Sequence, residues 1–170
     1  MSSHTSIPRS DVPLTVTAIA MIVLPLVALA IKLTWVGWMV FFLLFASPLL
    51  VIGYVMQVII AATGFLGRRA AFRTSAGRAR AVTAAWLTSG AAVVTAFFFV
   101  DGGDMSWGSA FMYVVGGESD SALGSLSSAV ALVSAIVWIG GWCWLLAEWI
   151  VALAARRRSA SSSTSAPASA

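Results

Sequence analysis

The chain has 170 residues, 60% of them hydrophobic and 9% charged, with a mean hydropathy of +0.96 and a net charge of +4. Soluble domains carry roughly 25% charged residues, so this composition cannot clothe a water-facing surface and excludes an ordinary soluble fold. A single cysteine, Cys143, excludes an intramolecular disulfide and a cysteine-based metal cage, and the single histidine, His4, excludes a histidine cluster.

In chain order, a polar segment over residues 1–12 carries His4, Arg9 and Asp11. A transmembrane domain over 13–155 follows, with four apolar blocks at about 14–33, 36–66, 81–100 and 122–155. A hydrocarbon core needs about 20 helical residues to cross, and each block is long enough. Ala28–Ala30 has the small residues of a signal-peptidase site, but the apolar stretch before it is longer than an h-region of roughly 7–15 residues. The first span is therefore expected to be retained. Pro25 and Pro48 fall inside spans, where a kink is tolerated if neighbouring groups satisfy the freed carbonyl. Blocks two and four overshoot a core of about 30 Å and must tilt or protrude. The low-complexity end, 156–170, is expected to be a basic flank followed by a disordered tail. Backbone amides in lipid must be paired within the segment, and the blocks lack the alternation of barrel strands. The expected fold is an all-α integral membrane protein, a bundle of four transmembrane helices.

Charge sets the expected orientation. Arg68, Arg69, Arg73, Arg78 and Arg80 lie between blocks two and three, and Arg156, Arg157 and Arg158 follow block four. With Arg9 and Asp11 these flanks carry +8, whereas Lys32, Asp101, Asp104, Glu118 and Asp120 on the opposite side carry −3. Basic residues near span ends are held in the cytoplasm, so both termini are expected there, in the cell membrane, with a GC-rich bacterial source suggested by nine arginines against one lysine. The arginines are then topology determinants that touch anionic headgroups at about 1 kcal/mol each. Nucleic acid is not an expected partner, because the loop offers only Phe72 as a stacking group.

The segment 101–121, "DGGDMSWGSAFMYVVGGESDS", has acidic, Gly-rich ends and an apolar middle. It is expected to be re-entrant or to lie at the interface with its acids in water. A cation-attracting vestibule of Asp101, Asp104, Glu118 and Asp120 is the weaker reading. "DGGD" lacks the alternating oxygen ligands of a calcium loop.

Glu148 is the one acid inside a span, and an ionisable residue there is a functional candidate by default. Ser127, Ser134, Gly141 and Glu148 recur every seven residues, forming a small-residue stripe of the kind along which membrane helices approach closely. Ala84, Thr88, Ala91 and Thr95 form a second stripe in block three, and Ala46, Gly53, Gln57, Ile60, Gly64 and Gly67 a third in block two. Gln57, Thr88, Ser89, Thr17 and Glu148 all lie about eight or nine residues from a basic flank, or about 12 Å along a helix. They are expected to form one polar layer around Glu148. That layer either locks the helices together, with Glu148 bonded to Gln57 and the hydroxyls or reaching an inner arginine, or it carries a proton or cation. Cys143, between Trp142 and Trp144, reads as a small packing residue. No catalytic, cofactor or metal site is expected. The function expected is a non-enzymatic accessory or assembly role, alone, as a homo-oligomer or in a larger membrane complex. The alternative is a small proton- or cation-coupled transporter or channel subunit centred on Glu148.

Overall fold

A computed structural model describes residues 12–34, 37–67, 70–73, 77–103 and 107–164, the side chains of 12 and 159–164 excepted. Helix α1 spans Val12–Thr34, α2 Met39–Ile60, α3 Arg78–Phe98, α4 Ala110–Val115 and α5 Ser121–Thr164. Two short strands, β1 (Asp101–Gly102) and β2 (Trp107–Gly108), pair antiparallel between α3 and α4. The stretches Pro13–Thr34, Met39–Leu66, Arg78–Phe98 and Ser121–Arg158 are each long and apolar enough to cross a membrane. The architecture is mostly helical, with four helices of membrane-spanning length and apolarity.

The four long helices run alternately between two ends. At the basic end α1 and α3 begin and α2 and α5 approach their finish; at the loop end lie residues 37–38, 99–103 and 107–120. The core sits toward the basic end. Leu14, Ala18 and Met21 of α1 meet Ile60, Ala61 and Phe65, Ala81, Ala84 and Ala85 of α3, and Leu145 and Ala152 of α5.

Helix α3 pairs with α5 along a seam of seven-residue period. On α5 the inward positions are Gly124, Ser127, Ala131, Ser134, Gly141, Leu145 and Ala152, with Glu148 and Trp138 half-buried between them. That spacing of four and three is the pattern of a left-handed helix pair. Opposite it, Thr95 Oγ1 donates to Ser134 Oγ at 3.0 Å, and Ser127 Oγ donates to the Phe98 carbonyl at 2.8 Å. Thr88 packs directly on Gly141, where a β-carbon would lie 2.8 Å from its Oγ1. Small residues let the two backbones approach, which supplies packing where lipid offers no hydrophobic contrast.

Helix α2 is held differently. None of its most apolar stretch is buried. Toward the basic end Tyr54 Oη donates to the Ile22 carbonyl (3.1 Å) and Gln57 Nε2 to the Met21 carbonyl (2.9 Å). Of the stripe expected on this helix, Gln57, Ile60 and Gly64 are buried, whereas a β-carbon at Gly53 would meet nothing within 4 Å. The helix then widens into a π-helical turn, Ala61–Leu66. Carbonyls of this turn accept from the following loop: Ala71 N–H donates to Thr63 O and Phe72 N–H to Gly64 O, each at 3.0 Å. This satisfies orphan groups of the helix terminus and drives the Phe72 ring into the core against Phe65, centroids 4.9 Å apart. The aromatic residue of the basic loop is thus a core residue.

The connection at the loop end is folded. Ser109 caps α4 by accepting from Met112 N–H, and Gly116 ends it at φ 71°, a conformation glycine tolerates best. Phe111 stacks on Phe98 at 4.8 Å, and Ser109 Oγ lies 2.6 Å from Ser127 Oγ, so α4 is pinned over the α3–α5 seam. Asp120 accepts from Leu123 N–H at 2.9 Å and caps α5. Two expectations change. Asp101 is not in water at the rim of an acidic segment, because it is buried against Lys32. Helix α5 runs on through 156–164, over the expected basic flank and into the first residues of the tail expected to be disordered; adding residues to an existing helix costs little because its nucleus is already formed. Asp104, Arg68, Arg69, His4, Arg9 and Asp11 lie outside the described residues.

Candidate functional site

The antiparallel register of α3 and α5 decides what Glu148 meets. With Thr95 beside Ser134 and Thr88 on Gly141, the next heptad brings Glu148 to the first turn of α3. Arg80 Nε lies 2.9 Å from Glu148 Oε1, and its Nη2 donates to Oε2 at 3.4 Å. Trp144, one turn back on α5, donates its indole N–H to Oε1 at 3.3 Å. A two-pronged guanidinium–carboxylate pair is the strongest common form of such a contact. The acid also sits over Gly77, the residue before α3, where a β-carbon would come 2.6 Å from Oε2. The N-cap residue of α3 is Gly77, which has no side chain to cap it, and the Glu148 carboxylate supplies negative charge where the helix dipole favours it. The pair is lopsided in solvent: the Glu148 side chain is 13% exposed and the Arg80 side chain 63%.

The other four residues of the expected layer are buried, but they do not converge on Glu148. Gln57 is spent on the Met21 carbonyl. Thr17 donates to Pro13 O at 2.7 Å and accepts the Trp86 indole at 3.2 Å, joining α1 to α3. Thr88 donates to Ala84 O at 2.8 Å within its own helix. It faces Gly141, a full heptad from Glu148. The separation has a simple cause. Arg80 does not stand in a ring flanking the helices but lies inside α3 and reaches the acid itself, so Glu148 is at the arginine level.

Ser89 is the exception within this set: its Oγ is buried and finds no hydrogen-bond partner among the described residues. A buried hydroxyl without a partner costs about 1–3 kcal/mol. Ser89→Ala is therefore expected to leave stability unchanged or raise it slightly, measured by reversible unfolding in mixed micelles. A loss above about 1 kcal/mol would reveal a partner for the hydroxyl.

Of the described arginines, Arg156 is partly tied inward, its Nη2 donating to Ala70 O at 2.6 Å. Arg157 and Arg158 are exposed at the same end of α5, and Arg73 and Arg78 are half-buried nearby in sequence order around the loop. Trp149 donates to Thr63 Oγ1 at 3.0 Å and ties α5 to the π-helical turn. Cys143 is exposed rather than packed between its tryptophan neighbours.

A second charged site was not foreseen as a pair. Lys32 Nζ lies 3.2 Å from Asp101 Oδ2 at the loop end, with the two side chains 11% and 9% exposed. Both residues were visible as the outer charges nearest a span end, but a separation of 69 positions gave no periodic cue. Comparison with protein-family models, with curated proteins and with solved structures finds no match to this chain. The chain is placed by its four apolar helices alone.

Proposed function

We propose that this chain is a multi-pass protein of a bacterial cytoplasmic membrane with both termini in the cytoplasm, serving a non-enzymatic accessory or assembly role. The observation that carries this reading is the neutralisation of Glu148 by Arg80 within the same chain. An acid that binds and releases a transported cation has to be free to exchange its partner. Here the carboxylate also holds Trp144 and lies against Gly77, so it fastens α5 to the start of α3. The hydroxyls of Thr17, Thr88, Thr95, Ser127 and Ser134 are likewise bonded inside the bundle. The basic end supports contact with anionic headgroups on the cytoplasmic face.

A proton- or cation-coupled transporter is the second reading, and the exposure of Arg80 favours it. A guanidinium that is mostly in solvent could leave the buried acid to another cation. One pair of experiments separates the two. Purification from native membranes at low detergent is expected to return a defined companion or homo-oligomer, and Glu148→Gln proteoliposomes are expected to match wild type in proton and cation flux. A wild-type flux that Glu148→Gln abolishes, together with recovery of a lone monomer, would reverse the assignment.

A further inference from the structure

The loop end of the bundle is closed by one buried carboxylate that touches three elements. Asp101, on β1, pairs with Lys32 at the end of α1 through Oδ2. Its Oδ1 accepts the N–H of Met39, the first residue of α2, at 3.1 Å and that of Gly102 at 2.9 Å. Beside it, Trp38 N–H donates to Gly102 O at 2.9 Å. The Lys32 ammonium also reaches Phe99 O at 3.5 Å and lies 5.0 Å over the Phe99 ring. Gly37 makes room for this arrangement, since a β-carbon there would lie 2.6 Å from Oδ1.

These contacts matter because of what α2 lacks elsewhere. Among the described residues, no side-chain hydrogen bond leaves the helix between Val40 and Gly53; the one from Ser47 returns to Leu44 in the same helix. Phe41, Phe42, Leu44 and Leu49 are exposed, and Phe45 is 83% exposed. The next ties are Tyr54 and Gln57, at the far side of that gap. Besides its chain connections, the helix is therefore attached at two places, one of them through the Asp101 carboxylate that Lys32 holds in position.

We propose that the Lys32–Asp101 pair is a latch for the loop end of α2, and that breaking it lets α2 swing away from α1 about its Tyr54–Gln57 attachment. The pair is suited to this because, among the described residues, neither charge has another ionic partner beside it, and removing one leaves the other stranded out of water. The swing requires no change in the α3–α5 seam, which has its own hydrogen bonds.

Spin labels at Phe45 on α2 and Ile136 on α5, in a Cys143→Ser background, report the motion by pulsed electron resonance on the full chain in nanodiscs. A control pair at Leu87 and Ile150 reports the seam. Wild type is expected to give one narrow distance for each pair. Asp101→Asn and Lys32→Gln are each expected to add a longer population, at least a third of the molecules, to the first pair and none to the control. Lys32→Gln keeps the carboxylate that caps α2, so it isolates the ion pair if Asp101→Asn fails to fold. An unchanged first distance in either folded variant would overturn the latch. Movement of the control pair in both variants would overturn it too, since the pair would then hold the whole bundle.

Discussion

Phe72→Ala is expected to destabilise the protein by about 3–5 kcal/mol, the usual cost of emptying a fully buried aromatic site. The ring is 0% exposed and packs against Gly64 and Phe65 within the core cluster. The void cannot close cheaply. Two backbone hydrogen bonds fix Ala71 and Phe72 to the π-helical turn, so the loop cannot follow the missing ring inward. Reversible unfolding in mixed micelles measures the loss, and Phe72→Leu, which refills most of the volume, should recover more than half of it. A cost below about 1 kcal/mol would mean that the basic loop is not part of the core.

Gly141→Leu is expected to separate α3 from α5 at a cost of roughly 1–3 kcal/mol, the usual range for overpacking. A β-carbon at this position would lie 3.2 Å from the Thr88 backbone nitrogen as well as 2.8 Å from its hydroxyl. A side chain can rotate aside, but a helix backbone cannot. The same substitution at Gly140, one residue away, should cost almost nothing, because a β-carbon there meets no atom within 4 Å. The contrast between neighbours tests the register directly. Equal effects at the two glycines would place the seam on another face of α5.

That register was partly legible in the chain. Ser127, Ser134, Gly141 and Glu148 stand out because they recur every seven residues and so share one stripe of the helix. They mark one edge of the real interface. Its other edge, Ala131, Leu145 and Ala152, was hidden because an apolar residue in an apolar helix carries no sign of which way it faces. The four spans were visible for the opposite reason, since a hydrocarbon-length run is a property of the sum and not of any one position.

Contacts between distant segments were the illegible part. An inner arginine is one expected partner of Glu148, but nothing local distinguishes Arg80 from Arg78 or Arg73, all read alike as topology determinants at the headgroups. Only the antiparallel register, which one chain does not reveal, puts it opposite Glu148. Phe72 lacked a periodic context, so its burial followed from a turn geometry that no pattern announced. Asp101 was grouped with Asp104, Glu118 and Asp120 by proximity in sequence, although it lies at the end of α3 and Asp120 at the start of α5. Lys32, the one basic residue expected outside, has its reason in Asp101: a charge that violates the distribution of its kind is tolerated when it is paired.

Four crossings with the arginine-rich end inside require the turn before α5 and the helix after Ala155 to face opposite compartments. Single cysteines at Ser119 and Arg158, in a Cys143→Ser background, can be labelled with a membrane-impermeant maleimide in intact cells. The expected result is labelling of the first in intact cells and of the second only after the membrane is opened. Labelling of the second alone in intact cells would invert the protein, and labelling of both or neither before permeabilisation would break the count of four.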